Sequence, residues 1–234
     1  LVLSDGITTE RPLQDYVAQN VASIAKRQEE ELGMKYKRLP IVQFASLRNA
    51  ATGYSVEGAY DWNTKIITLD TDVLANPDDL LKRLTNHFRY GDQALAEDAL
   101  IHEMTHFYVD THIRPKVGRT ERSMGDEVIG EGIVEIVHEK MTGKRLAGCK
   151  SFNSVRLPLG AYEDLEMRYL IGYCTARPVV NNFGIIGMHE MVGNPPTDDE
   201  LTYPYAYQQR VQIELIMNTV ATSSAGSPML TIPR

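Results

Sequence analysis

The sequence predicts an α+β fold in which a small N-terminal twisted β-sheet with helices precedes a mainly helical C-terminal half. Three observations lead to this fold class: an amphipathic helical pattern near the N-terminus, short strand-like runs after it, and only helices and loops beyond residue 90. The chain has 234 residues, 43% of them hydrophobic, which is enough to bury a sizeable core. We therefore expect a single unit over 1–234, with an α/β part over 1–111, a helical part over 112–220 and a flexible tail over 221–234.

The N-terminal elements follow from hydrophobic periodicity. Apolar residues recur at helical spacing from Leu13 to Leu32, and Gly33 provides a stop. The stretch "LPIVQFAS" after Pro40 reads as a short strand. The stretch "YSVEGAYDWNTKIITLD" predicts two more strands, joined by a turn over 61–64.

The next elements are helical and separated by a loop. Asn76 and Pro77 are suited to the start of a helix that reaches about residue 88. A strong helix is predicted over 93–110, and "THIRPKVGRTERSMG" after it is expected to be a polar loop. Another helix is predicted over 126–141, before Gly143.

The C-terminal half has a weaker pattern. A helix is expected over 161–172 and a longer one over 205–220. Because "RPVVNNFGIIGMHEMVGNPPTDDE" between them is rich in Gly, Asn and Pro, we expect a loop there.

Charge and composition exclude several classes of partner. The net charge is -7 and no block of Lys or Arg is present, so neither nucleic acid nor an anionic membrane surface is expected as a partner. No run of 18 apolar residues occurs, so no membrane span is expected. The start "LVLSDGITTE" does not resemble a signal peptide, and it fits either a cleaved or a trimmed N-terminus. The location stays open, with secretion or export favoured over the cytoplasm.

Cys149 and Cys174 are too few for a disulfide framework and lack the C-x-x-C spacing of a zinc knuckle. One bridge, closing a loop of about 25 residues, is possible in an exported protein. Two buried free thiols are the other possibility, and the sequence does not decide between them.

Residues 102–106 read His-Glu-Met-Thr-His and lie inside the helix predicted over 93–110. Residues four apart share a helix face, so His102 and His106 can direct both imidazoles at one zinc ion. Glu103 lies near the same face, where it can take a proton from a water at the metal without binding the metal. A catalytic zinc needs one more protein ligand, and two candidates compete.

The first candidate is His112, because the spacing of His102, His106 and His112 matches the three-His motif of metzincins. That motif has a glycine where this chain has Val109. Since a β-branched residue resists positive φ, we expect Val109 to extend the helix and to carry His112 to another face.

The second candidate lies in "GDEVIGEGIVEIVHEK", residues 125–140. Here Glu127, Glu131, Glu135 and His138 form a polar stripe on an otherwise apolar helix. A solvated face is the plain interpretation, but the stripe lacks the Lys or Arg usual on such faces. A cation opposite the stripe would relieve the repulsion among its carboxylates.

The region 95–141 resembles the gluzincin metallopeptidases: an H-E-x-x-H helix, a loop, and a second helix with "EG" followed by apolar residues and another acid. The resemblance implies a zincin-like fold, Zn²⁺ as cofactor, His102 and His106 as ligands and Glu103 as general base. It implies Glu131 as the third ligand and Glu135 as the acid that orients a zinc-binding histidine. Glu127 is the alternative third ligand. In that case Glu131 would be the acid that orients a zinc-binding histidine. The hairpin containing "KIITLD" resembles the sheet of the group, whose edge strand aligns substrate.

Such enzymes also need a donor for the developing oxyanion, which the group commonly supplies as a Tyr or His from the C-terminal half. Four residues are candidates, and we expect His189 or Tyr205 before Tyr203 or Tyr207.

The sequence as a whole predicts a zinc-dependent peptidase, most simply an endopeptidase, that acts on a peptide or protein substrate. Two alternatives remain open. One is a metzincin-like hydrolase that uses His112. The other is a non-catalytic zinc-stabilised binding module, in which Glu127 or Asp110 supplies a fourth ligand that closes the site.

Overall fold

A computed structural model describes residues 11–47, 58–70, 95–118, 122–146, 149 and 156–225 of the chain. Nearly all the helices follow a small sheet, which confirms the predicted α+β class with its helical C-terminal half. The elements are α1 (Arg11–Leu32), β1 (Ile41–Ala45), β2 (Gly58–Asp61), β3 (Ile66–Asp70), α2 (Leu95–Tyr108), a π turn (Val109–Ile113), a 3₁₀ turn (Arg114–Val117), α3 (Met124–Thr142), a second 3₁₀ turn (Leu159–Glu163), α4 (Leu165–Gly193), α5 (Asp198–Thr202) and α6 (Pro204–Ala225).

The three described strands form one sheet in the order β1-β3-β2. β3 pairs with β1 in parallel and with β2 in antiparallel orientation, so β2 lies at one edge of these three strands. The turn between β2 and β3 is held by Asp61, whose carboxylate accepts hydrogen bonds from the backbone of Asn63 and from both the backbone and the hydroxyl of Thr64. The sheet contacts α2 through β2 and β3, which brings the edge strand beside the helix that carries residues 102–106.

α3 is the central helix of the C-terminal half, and it packs against both α2 and α4. The contact with α4 is close because Gly132 meets Gly172, and a Cβ atom added to Gly132 would overlap the Gly172 carbonyl group. Two glycines at a helix crossing let the two backbones come closer together than larger side chains would allow. The glycine of the "EG" string therefore has a structural role, because it allows α3 to pack closely against α4.

The loop predicted over 111–125 is wrong for its first part. The chain continues from α2 into the π turn and the 3₁₀ turn and remains helical to Val117. Ile113 is fully buried, and the Thr111 hydroxyl donates to the carbonyl of Phe107 one turn earlier. Burial and this hydrogen bond hold the segment against α2 despite its polar composition.

The loop predicted over residues 177–200 is also wrong, because α4 passes through Pro178 and runs to Gly193. The helix kinks at Gly184, whose φ of 56° suits glycine. Val180, Met188 and Met191 are buried on either side of the kink, so packing overrides the local preference of the Gly, Asn and Pro residues.

Other predictions have mixed outcomes. Gly33, with φ of 71°, ends α1, and Gly143, with φ of 74°, ends α3, both as predicted. Cys149 and Cys174 form a disulfide, which resolves the alternatives left open above. The helix predicted over 76–88 lies outside the described residues. α6 extends five residues into the predicted tail, to Ala225, and 226–234 lie outside the described residues.

Changing Gly132 to alanine tests the glycine contact between α3 and α4. The added methyl group meets backbone atoms that cannot rotate away, so we expect Gly132→Ala to lower the free energy of unfolding by about 3 kcal/mol. Gly130 is the matched control, since a Cβ there has no neighbour within 4 Å and alanine is the better helix former by up to about 1 kcal/mol. Urea unfolding followed by circular dichroism measures both, and equal stability of the two variants would contradict the account.

Candidate metal centre

α2 presents two histidines and a glutamate next to the core. Its apolar side chains Leu100, Met104 and Phe107 are buried, which fixes the rotation of the helix. The side chains of His102 and His106, one turn apart, keep 20% of their surface exposed. Their rings are 4.9 Å apart between centroids and face α3.

α3 brings Glu131 to the same point. The helix begins at a capping box in which Ser123 and Asp126 bond each other's backbone amides, and this fixes its start. Glu131 comes two turns later, immediately before the Gly132 contact with α4. Its side chain is 18% exposed and lies between the two imidazoles.

The three candidate ligand atoms form a nearly equilateral triangle. The Nε2 atoms of His102 and His106 are 3.2 Å apart, and the Oε2 atom of Glu131 is 3.5 Å from the first and 3.3 Å from the second. Corners of a tetrahedron around an ion with bonds of about 2.0–2.1 Å lie about 3.3–3.4 Å apart. The triangle thus has the size of one face of a tetrahedral zinc site.

The Glu131 carboxylate has an unsatisfied atom. Within the described part of the chain, its Oε2 is buried and has no hydrogen-bond partner of normal geometry. Burying a carboxylate oxygen without a donor is costly, and a cation at the centre of the triangle removes that cost. Of the described residues, His102, His106 and Glu131 are the group of His, Cys, Asp and Glu side chains arranged to hold a metal ion.

The electrostatics of the cluster favour positive charge. Burial alone would raise the pKa of Glu131, but the adjacent imidazoles of His106 and His102 hold it well below its usual range. Burial lowers the pKa of His102, whereas Glu131, Glu103 and Glu135 together raise it to about 9. Glu135 lies one turn after Glu131, with its Oε1 atom 3.8 Å from His102 Nδ1, on the side of the ring away from the triangle.

Glu103 is held separately from the triangle, under the edge strand β2. Its residue surface is only 6% exposed, and burial raises its pKa, which the two nearby imidazoles counteract in part. The backbone N–H of Tyr60 donates to its carboxylate. A Cβ added at Gly58 would be 3.0 Å from Glu103 Cγ, so glycine there leaves room for the glutamate. A buried carboxylate with a raised pKa is suited to accept and return a proton.

A buried aspartate in the π turn joins the hairpin to α2. The Tyr60 hydroxyl donates to Asp110 Oδ2 at 2.7 Å, Lys65 Nζ donates to the same oxygen, and Arg122 Nη2 lies 3.3 Å from Oδ1. Tyr60 therefore bridges two acids on α2 and its extension: its amide contacts Glu103 and its hydroxyl contacts Asp110. This arrangement fixes the distance between β2 and Glu103.

The rival ligands have other partners. The helix continues through Val109, as predicted, and His112 Nε2 accepts a hydrogen bond from the Lys37 amide at 2.8 Å. The other ring nitrogen of His112 is 2.6 Å from Thr111 Oγ1. Glu127 is exposed on α3 and pairs with Arg168 at 2.9 Å.

The two residues predicted to assist the oxyanion are not brought to the triangle. Tyr205, at the start of α6, has its ring contact with Tyr203, and the charged neighbour of His189 is Lys116. Among the described contacts of these two residues, none reaches the candidate ligands. Tyr207 is buried, and its hydroxyl donates to the carbonyl of Met191.

Sequence reasoning missed Tyr169 of α4, whose ring is 5.7 Å from that of His102 in an edge-on arrangement. Tyr169 precedes Gly172 by three residues, so it lies on the face of α4 that meets α3. The pairing of Gly172 with Gly132 would have indicated this face. Two glycines 40 residues apart in the chain do not reveal that pairing by themselves.

Comparison with known proteins identified no relative: no family model, curated protein or solved structure matches the chain. No described helix combines the length and apolar character that crossing a membrane requires.

Replacing Asp110 tests the junction between hairpin and helix. Asp110→Asn leaves Lys65 and Arg122 without their shared counter-charge, so we expect a loss of about 2 kcal/mol in the free energy of unfolding at pH 7. Burial would raise the pKa of Asp110, but its bonds to Lys65 and Tyr60 lower it below the usual value. The carboxylate therefore contributes stability above the pKa of the unfolded chain, and this contribution disappears as pH falls through the lower folded-state pKa.

Urea unfolding of wild type and Asp110→Asn at pH 7 and pH 3 measures this dependence. The difference in the free energy of unfolding between wild type and Asp110→Asn should be smaller at pH 3 than at pH 7. Asp15 on α1 is exposed, so Asp15→Asn is the control and should have little effect at either pH. An equal loss at both values of pH would show that the charge of Asp110 is not the stabilising feature.

Proposed function

We propose that the protein is a zinc-dependent peptidase with a zincin-like fold, in which His102, His106 and Glu131 bind Zn²⁺ and Glu103 is the general base. One observation carries the proposal. Three donor atoms from two helices converge at the spacing of a tetrahedral site, and the buried Oε2 of Glu131 among them has no donor in the described structure.

The donor set favours zinc over the common alternatives. Two imidazole nitrogens and one carboxylate oxygen suit a borderline ion, whereas Mg²⁺ and Ca²⁺ prefer oxygen ligands throughout. Three protein ligands leave one position open, as catalytic zinc sites do. A zinc ion supplies Lewis acidity that polarises a peptide carbonyl and lowers the pKa of water.

Glu103 provides the proton transfers. It lies next to His102 in sequence but does not contribute to the triangle, so its carboxylate remains available to a water molecule in front of the cluster. In the proposed reaction it takes the proton of the attacking water and delivers it to the leaving amine. Its raised pKa, caused by burial, makes it a stronger base than an exposed glutamate.

Glu135 supports the orientation of His102. Its Oε1 atom lies on the Nδ1 side of the ring, and a carboxylate there favours the tautomer in which Nε2 is free to bind the metal. His106 has Thr105 and Phe107 of the buried α2 face as sequence neighbours, so both rings are positioned by a packed helix.

The edge strand β2 is the proposed docking element for substrate. Its partner among the described strands is β3, on one side only, and Tyr60 of β2 bonds Glu103. An extended peptide that adds to a strand edge gains backbone hydrogen bonds with little dependence on its sequence. A substrate peptide paired with β2 would have one of its peptide bonds next to Glu103 and the three candidate ligands.

The two alternative functions have less support. A three-histidine site needs His112, which has hydrogen-bond partners at both ring nitrogens. A closed structural site needs a fourth ligand from Glu127 or Asp110, but Glu127 pairs with Arg168 and Asp110 with Lys65 and Tyr60.

The disulfide between Cys149 and Cys174 supports an exported location as part of the proposal. Disulfides persist in oxidising compartments and are rare where glutathione and thioredoxin keep thiols reduced.

Zinc content and peptide cleavage, measured on purified variants, test the proposal. We expect Glu131→Gln to lose zinc and activity, because the third anionic ligand is gone, while the matched control Glu127→Gln keeps both. Glu103→Gln should keep zinc and lose about 10²- to 10⁴-fold in kcat, because only the proton transfer is removed. Metal content by mass spectrometry and cleavage of an unstructured protein substrate are the two measurements.

Other outcomes would redirect the assignment. Loss of zinc in His112→Ala but not in Glu131→Gln would identify a three-histidine site. Zinc retained by wild type without any peptide cleavage would favour the binding module. No zinc in any variant would remove the metal centre altogether.

A further inference from the structure

We propose that Arg122, Lys65 and Trp62 form a subsite for an acidic side chain of the substrate, on the N-terminal side of the bond that is cleaved. The inference rests on the proposed peptidase function and specifies the class of substrate. Four features of the chain lead to it: the position of these residues beside the end of β2, the excess of cations among the described residues, the stacking of Arg122, and the direction of β2.

The subsite lies at the end of the strand that contacts Glu103. Tyr60 of β2 bonds Glu103 through its amide, β2 ends at Asp61, and Trp62 follows directly. A strand advances about 3.3 Å per residue, so Trp62 lies roughly 7 Å along the chain from Tyr60. A peptide bound along β2 with its reactive bond at Glu103 therefore reaches Trp62 within two or three residues.

Among the residues that the structure describes, cations outnumber carboxylates around this end of α2. Arg122 and Lys65 share the single carboxylate of Asp110, and their side chains stay 29% and 34% exposed. Arg114, also beside Asp110, is paired with Asp126.

Further cations lie on the adjoining surface. Lys37, Arg38 and Lys116 are exposed, and none has a carboxylate partner among the described residues. In the described ranges, two acids lie nearby: Asp61 is occupied in its turn, and Glu29 lies near Tyr108. A positive surface beside the proposed site is notable in a chain with a net charge of -7.

The neighbouring His112 responds to this positive field. Burial lowers the pKa of the His112 imidazole, and the charges of Lys116, Lys37 and Arg38 lower it further. This effect supports the geometric grouping of the cations around the end of α2.

Arg122 is positioned to receive a carboxylate. Its guanidinium carbon is 5.2 Å from the centre of the Trp62 ring, and Trp62 is 46% exposed. Stacking on an indole holds the planar guanidinium in one orientation. Asp110 Oδ1 lies 3.3 Å from the Nη2 atom of Arg122, and a guanidinium has five N–H donors, so it can bind a second acceptor as well.

The direction of β2 assigns the side of the substrate. β2 runs from Gly58, beside Glu103, towards Trp62. A peptide that pairs with β2 in the more frequent antiparallel orientation has its N-terminal end at Trp62. Residues on the N-terminal side of the cleaved bond therefore face Arg122 and Lys65, and residues on the other side do not.

Matched peptides test the subsite. In one series the second and third residues before the cleaved bond are Glu or Gln, and in a control series the same exchange is made after the bond. In the first series, we expect the zinc-loaded wild type to cleave the Glu peptide with about 5-fold higher kcat/KM than the Gln peptide. The preference should be absent in the control series and should shrink as ionic strength rises.

Variants locate the effect. Arg122→Gln and, separately, Lys65→Met should reduce the preference, taken as the ratio of kcat/KM for the Glu and Gln peptides within each variant, to less than about 2-fold. Arg145→Gln removes the same charge beside Glu139 and should keep the preference. Zinc content and unfolding of each variant verify that the site is intact.

The failures of the two proposals are distinguishable. Cleavage by wild type with equal rates for Glu and Gln peptides, or with the preference retained in both Arg122→Gln and Lys65→Met, would overturn the subsite and leave the peptidase standing. The same peptides can be bound to zinc-loaded Glu103→Gln, which does not cleave them, and their affinity measured by fluorescence anisotropy. The Glu peptide should bind more tightly than the Gln peptide. No cleavage of any peptide by the zinc-loaded protein would overturn the peptidase and, with it, this subsite.

Discussion

The buried carboxylate of Glu131, lodged between two imidazoles, is the feature on which the candidate site depends. A carboxylate oxygen removed from water needs a donor or a cation, and here its nearest polar neighbours are the Nε2 atoms of His102 and His106. The arrangement exists because α3 is clamped between α2 and α4. Gly132, the residue after Glu131, allows the close approach to α4 that holds the carboxylate in place.

Two separate contacts then determine the surroundings of this cluster. On one side, Glu135 lies behind His102, and Tyr169 of α4 packs edge-on against the same ring. On the other side, Tyr60 connects the edge strand to Glu103 and Asp110, so the sheet cannot shift without disturbing the candidate base. The sheet, the two central helices and the π turn thus all meet at a few side chains, which is typical of a site that requires fixed geometry.

The sequence predicted the features that depend on local pattern. The sheet, α2 and α3 followed from periodicity, and the pairing of His102 with His106 followed from their spacing on a helix. Glu131 was predicted from the resemblance of its "EG" string to the gluzincins. The helical continuation over 111–117 and the long α4 were missed, because burial of residues such as Ile113 and Met188 overrides their polar, Gly- or Pro-rich surroundings. The position of Tyr169 and the grouping of Arg122, Lys65 and Trp62 depend on which helices and strands meet, and that information is not local in the chain.

The most direct test of the account is the coordination of zinc in the wild-type protein, measured by X-ray absorption and by anomalous scattering from a zinc-loaded crystal. The account predicts one ion at about 2.0–2.1 Å from two imidazole nitrogens and at about 2.0–2.2 Å from a carboxylate oxygen, located between His102, His106 and Glu131, with a fourth, non-protein ligand. An ion bound elsewhere, a third imidazole in place of Glu131, or four protein ligands would contradict it.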